Sequence, residues 1–69
     1  MFVKVIVDIP AAQVNRPFDY QVPEAYQDSL QLGMRVQVPF GNRQLLGFVV
    51  GIHHTSDFKG TLKPITAVL

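Results

Sequence analysis

Arg16-Pro17-Phe18-Asp19-Tyr20 sets two aromatic rings around one carboxylate within five residues. In an extended strand Phe18 and Tyr20 share one face while Asp19 points to the other. Such a set can pack a flat ring and accept a hydrogen bond from an amine or hydroxyl. It can equally be a core pair beside a solvated aspartate. Val38-Pro39-Phe40-Gly41 runs from a strand into a turn, where Gly41 leaves its backbone amide open to a ligand or serves the turn alone. Lys63 is a lone base on the last apolar stretch, able to pair with an anion or simply to be solvated. None of this is catalytic machinery. The Gly-rich pattern ending in Lys-Ser/Thr that cradles nucleotide phosphates is absent. His53 and His54 are the two histidines, and strand neighbours point to opposite faces, so they are read as strand-end residues rather than ligands of one metal. Asp8, Asp19, Asp28, Asp57 and Glu24 are scattered, without a paired acid and base. No catalytic residue and no metal ligand is assigned.

A chain of 69 residues makes one small domain. At that size folding buries only about 60% of the unfolded surface, which leaves little stability in reserve. The sequence has no cysteine, so disulfides, Cys-ligated zinc and thiol catalysis are closed to it. A hydrophobic fraction of 48% supplies a core, and 16% charged residues are too few for a disordered tail. Six Lys and Arg against five Asp and Glu give a net charge of +1, with no broad field to draw the chain to DNA or a membrane. No apolar run reaches the ~18–20 residues that cross a bilayer. The start lacks a basic region and Asp8 interrupts its apolar stretch, so a secretory signal is not expected. The absence of cysteine leans toward a cytosolic protein. Val68-Leu69 end the chain in mid-pattern, as expected of a domain cut from a longer one.

The elements that must position these residues are short. Phe2 to Ile9 alternates with Val3, Val5, Val7 and Ile9 on one face, which predicts a strand ended by Pro10. Pro10 to Pro17 reads as a loop with Asn15 at its turn, and Phe18 to Val22 as a second strand. Pro23 suits the first position of a helical turn over Glu24–Leu30. Gly33 opens the third strand, Met34–Phe40, with Met34, Val36, Val38 and Phe40 on its buried face. Gly41-Asn42-Arg43 forms a tight hairpin. Gln44–His53 is the fourth strand, with Leu46, Phe48, Val50 and Ile52 on one face. Gly47 and Gly51 on the other mark a bend, a bulge or a close backbone approach. After a loop at Thr55–Gly60, Leu62–Leu69 is a fifth strand, which Pro64 places at an edge or at least deprives of one ladder bond. The expected fold is mainly all-β: a small, five-stranded, strongly bent antiparallel OB-like barrel with at most one short helical turn.

In order along the chain stand Phe18-Asp-Tyr-x-Val-Pro-Glu24, Gly33-x-Arg-Val-x-Val-Pro-Phe-Gly41, Gly47-Phe-Val-Val50 and Leu62-Lys-Pro-Ile65. This series closely resembles the N-terminal 3′-DNA-binding domain of primosomal protein N′, the PriA family of bacterial replication-restart helicases. The resemblance runs from Val3 to Leu69. It implies an OB-like domain, residues 1–69, that holds the 3′ end of the nascent leading strand at a stalled fork. It also implies a bacterial, cytoplasmic setting within an ATP-dependent 3′-5′ DNA helicase. The helicase lobes, with their ATP, Mg and Zn, lie outside these residues, and the domain itself is expected to be no enzyme and to need no cofactor.

The family's terminal-nucleotide pocket carries over onto Phe18, Asp19, Gly41 and Lys63, with Arg16 and Arg43 as further candidates for phosphate. Stacking of a base on an aromatic such as Phe18 is worth ~1–3 kcal/mol. Asp19 would accept from a sugar hydroxyl or base amine, Gly41 would let backbone approach the nucleotide, and Lys63 would pair with phosphate. For Phe18 and Asp19 to act together, the pocket must lie at a strand end or bulge, or Phe18 must support rather than stack. The sequence departs from the family at Asn42, where a basic residue is common; Arg43 beside it is the candidate replacement. The implied partners are single-stranded or forked DNA with a free 3′ end, the rest of the helicase chain and other primosome proteins, with no membrane. The alternative is a protein-interaction barrel that docks on a partner or on its own chain. An RNA-binding barrel would be expected to carry more Lys and Arg.

Overall fold

Alternating β-branched residues decide the two strands that carry most of the buried valines, because they fit a pleated surface with one face buried. In the computed structural model, which describes residues 1–9, 16–55 and 60–69, β1 spans Phe2–Val7. Val3, Val5 and Val7 all point into the core. β2 (Phe18–Gln21) and β4 (Arg43–His53) flank β1, both antiparallel to it. β3 (Arg35–Phe40) pairs with β4, and β5 (Ala67–Val68) with β3. The order is therefore β2-β1-β4-β3-β5, a five-stranded antiparallel sheet as expected. Val36 and Val38 on β3 are fully buried and meet Val3, Val5, Val49 and Ile65 in one cluster. Arg35 replaces Met34 as the first residue of β3, and Gly33 lies in the turn before it with φ +86°.

β4 corrects the sequence reading. Lys4 pairs with Gly51 but Val5 pairs with Val49, so Val50 has no partner on β1. This bulge shifts the side-chain alternation by one residue. Val49 is buried and Ile52 packs on the core, whereas Leu46, Phe48 and Val50 stand 38%, 46% and 45% exposed. The four residues assigned to one face are thus split between two. Gly47 is the close approach anticipated for it: a Cβ there would lie 2.5 Å from the Ile6 carbonyl oxygen.

Three other expectations shrink. The helical turn over Glu24–Leu30 is a 3₁₀ turn at Glu24–Tyr26, and Pro23 precedes it in extended geometry rather than opening it. Three residues give too few backbone bonds to propagate a helix. The hairpin loop is two residues, because Arg43 already pairs with Phe40, and Gly41 takes the left-handed φ of +62°. The fifth strand is not continuous over Leu62–Leu69. Pro64 has no amide hydrogen to give a ladder, and the segment crosses between two strands instead. Lys63 accepts from the Gln21 amide at 2.9 Å, the Ile65 amide donates to Gln21 at 3.0 Å, and Thr66 then donates to Gln37 on β3. The sheet remains open, with this last segment tying β2 to β3. The Asn15 turn and most of the Thr55–Gly60 loop lie outside the described residues. Among the described residues no helix is long and apolar enough to cross a membrane.

Tyr20 makes the second tie between β2 and β3. Its hydroxyl donates to the Pro39 carbonyl at 2.9 Å, and the ring is buried. Burial pushes the phenol above its ordinary value, since the charged form loses its water. A raised acid pKa in the folded state means a contribution that is complete below about pH 10 and lost as pH rises through the folded value. Tyr20→Phe removes the donor and leaves Pro39 unpaired, which is expected to lower stability by about 1 kcal/mol at neutral pH. The variant should also lose stability less steeply in alkali. Thermal melts between about pH 8 and 11 check this; parallel slopes for the two proteins would refute it.

Candidate nucleic-acid interface

The two ties draw the start of β2, the end of β3 and the approach to Lys63 around a cleft of about 540 Å³. That volume lies within the range of small-ligand sites. Arg16, Phe18, Asp19, Gly41 and Lys63, which the sequence scatters over nearly fifty positions, all line it. Arg43 does not line it. It is exposed on β4 across from Phe40.

Phe18 and Asp19 are strand neighbours and still reach one cavity. Phe18 is the first residue of β2, and β2 is an edge strand, so a cavity at its start is open to both faces of the sheet. Phe18 sits opposite Val5 and Asp19 opposite Lys4. The Phe18 ring meets Phe40 edge to face, with centroids 5.1 Å apart and planes at 81°. The Arg16 guanidinium carbon lies 5.0 Å from the Phe18 ring centre, a cation–π contact. A base stacking on that face of Phe18 must therefore displace Arg16. Phe40 enters the site as the aromatic partner of Phe18, a role the spacing of the Val38-Pro39-Phe40-Gly41 run did not disclose.

Asp19 is half-buried, and its Oδ1 accepts from Lys4 Nζ at 2.9 Å. Lys4 was not singled out from the sequence. Its signal was present as the only charge within Phe2–Val7, but its partner depends on the β1–β2 register. Gly41 has open space where a Cβ would stand, so its backbone is approachable and its positive φ is what requires glycine. Lys63 is held by its own carbonyl, bonded to Gln21, and the residue lines the cleft.

The cleft brings Lys4, Arg16 and Lys63 together with one carboxylate, Asp19. It concentrates more net positive charge than the whole chain, whose net is +1. Aromatic rings, cations, one acceptor and an exposed turn can bind an anionic ligand with a flat ring and a hydroxyl. No group of three or more His, Cys, Asp or Glu able to hold a metal occurs among the described residues. His53 and His54 are both exposed.

The family model described as "3'DNA-binding domain (3'BD)" of PriA matches residues 4–69. The chain is 44% identical over 59 residues to the replication restart protein PriA of Bacillus subtilis (strain 168), covering 86% of this chain. It is 43% identical over 49 residues, 71% of the chain, to the probable replication restart protein PriA of Mycobacterium tuberculosis (strain ATCC 25618 / H37Rv). With the replication restart protein PriA of Treponema pallidum (strain Nichols) it shares 32% identity over 99% of its length. The chain spans only 7%, 8% and 11% of those three relatives, respectively.

Proposed function

This chain belongs to the PriA 3′-DNA-binding domain family, and we propose that it holds the free 3′ end of a DNA strand during replication restart. The observation that carries the reading is the gathering of Arg16, Phe18, Asp19, Gly41 and Lys63 at one positively charged cleft. Asp19 receives the terminal 3′-hydroxyl, whose hydrogen it can accept. Lys63 and Arg16 meet the phosphate of the terminal nucleotide, and the Phe18–Phe40 pair walls the base. Gly41 admits the sugar-phosphate backbone beside the hairpin. The strand held is the nascent leading strand at a stalled fork, and the domain serves a larger bacterial helicase that supplies the ATP-driven chemistry. Holding the end calls for no cofactor.

Two or three phosphates neutralised on a single strand give a salt slope of only about −1.5 to −2. Most of the affinity then comes from the pocket and from the end itself. A fluorescence titration comparing a linear oligonucleotide with a circular strand of the same sequence tests this. The linear strand is expected to bind at least about tenfold tighter, some 1.4 kcal/mol. Equal affinities would reject end recognition. Exchanging the 3′-terminal base should change affinity far less than a hundredfold, because stacking accepts any base.

A second reading is favoured by one specific feature, the exposed row of Leu46, Phe48 and Val50 on β4. None of the three lines the cleft. A protein surface, such as the rest of a longer chain or another primosome protein, would bury them. The readings use different surfaces, and Phe48→Gln is expected to leave oligonucleotide affinity unchanged.

A further inference from the structure

Lys4 stands in the middle of an aliphatic strand, between Val3 and Val5, both fully buried. Its own side chain turns to the other face and runs toward the edge of the sheet. The stem crosses Gly51, where a Cβ would come within 3.5 Å of Lys4 Cβ and 3.7 Å of Cδ. At those distances a Cβ would be in ordinary contact with the stem, so Lys4 and Gly51 lie side by side. The ammonium ends 2.9 Å from Asp19 Oδ1, in the one ion pair among the described residues. Both partners line the cleft.

The carboxylate assigned to the 3′-hydroxyl is therefore not a bare charge. One of its oxygens is held by Lys4, while the other has no donor among the described residues. We propose that Lys4 is a specificity-determining residue that sets how strongly the cleft rejects a 3′-terminal phosphate. This inference rests on the 3′-end reading above. A lone carboxylate repels a phosphate over several ångströms, whereas a carboxylate paired with an ammonium presents a dipole whose field falls off faster. The ammonium has three donors and spends one on Asp19. Two remain for a phosphate oxygen that enters beside it. Lys4 thus leaves Asp19 its free oxygen for a hydroxyl and softens its repulsion of an anion. The site accepts 3′-hydroxyl ends best and tolerates 3′-phosphorylated ends better than Asp19 alone would allow.

The test reads the ratio of two Kd values for the 69-residue chain, with one single-stranded oligonucleotide ending in either a 3′-hydroxyl or a 3′-phosphate. Lys4→Met keeps the stem over Gly51 and removes the charge. It is expected to widen the preference for the hydroxyl end by about threefold, the scale of a partly exposed ion pair. Lys4→Arg restores the original ratio. Lys4→Gln shifts it as Met does and serves if the Met variant does not fold, which thermal melts decide. A hydroxyl preference that neither neutral variant alters overturns the role of Lys4 and leaves the 3′-end reading standing. Equal binding of linear and circular strands by the unmutated domain overturns both.

Discussion

Val36→Asp is expected to abolish the folded state at neutral pH. Val36 is fully buried on β3, opposite Gly47 on one side and Val68 on the other. The fully buried side chains of its cluster are aliphatic, the Tyr20 hydroxyl is already spent on the Pro39 carbonyl, and no buried side chain in the described residues is charged. A carboxylate there has no donor to replace its water, and such burial costs several kcal/mol even after relaxation. A core of this size supplies only about 3–5 kcal/mol of net stability, and the chain has no disulfide to add to it. The penalty matches or exceeds the reserve. Circular dichroism and amide chemical-shift dispersion would read the outcome, with Val36→Ala as a weaker lesion that should still melt cooperatively. A dispersed spectrum and an unchanged melt for the Asp variant would mean that β3 does not form the centre of the core.

The parts that could be read in advance are those where local pattern and tertiary role coincide. β1 and β3 alternate cleanly, and Val3, Val5, Val36 and Val38 are buried as that alternation requires. β4 misled because its apolar residues keep a period of two through Val50, while the bulge against Lys4 and Val5 breaks the period in space. A bulge belongs to a pair of strands, so one strand's sequence does not reveal it. The same holds for the end of the chain. Pro64 announced that a regular ladder would fail, yet the attachment of Lys63 and Ile65 to Gln21 depends on how far the sheet curls.

The candidate site divides in the same way. Phe18, Asp19, Gly41 and Lys63 came from a resemblance in short motifs, and they do share one cleft. What motif reading left out are the contacts: Phe40 edge to face with Phe18, Arg16, already a candidate for phosphate, over that ring, and Lys4 on Asp19. Lys4 reaches Asp19 through the β1–β2 register, and Phe40 meets Phe18 although their strands are not neighbours in the sheet. These contacts change the chemistry expected of the motif residues, since a covered ring and a paired carboxylate bind differently from bare ones.

Asp19→Asn should have the largest effect on binding of any change in the cleft that leaves the fold intact. Asn matches Asp in shape, and its amide oxygen can still accept from Lys4, so the pairing of β2 with β1 is not disturbed. The charge-assisted bond proposed for a terminal 3′-hydroxyl would be lost, and hydrogen bonds to charged groups are worth about 1.5–3 kcal/mol. Affinity for a free 3′ end is therefore expected to fall by at least about tenfold. Binding of a 3′-phosphate end should fall much less or even improve, because the carboxylate that repelled it is gone while Lys4, Arg16 and Lys63 stay. The discrimination between the two ends should thus narrow in Asp19→Asn and widen when Lys4 loses its charge, opposite changes from the two halves of one ion pair. A 5′-phosphate lies at the far end of the strand and should matter little in either protein. If the unmutated domain binds 3′-hydroxyl and 3′-phosphate ends equally, Asp19 does not read the end, and its contact with Lys4 only joins β1 to β2.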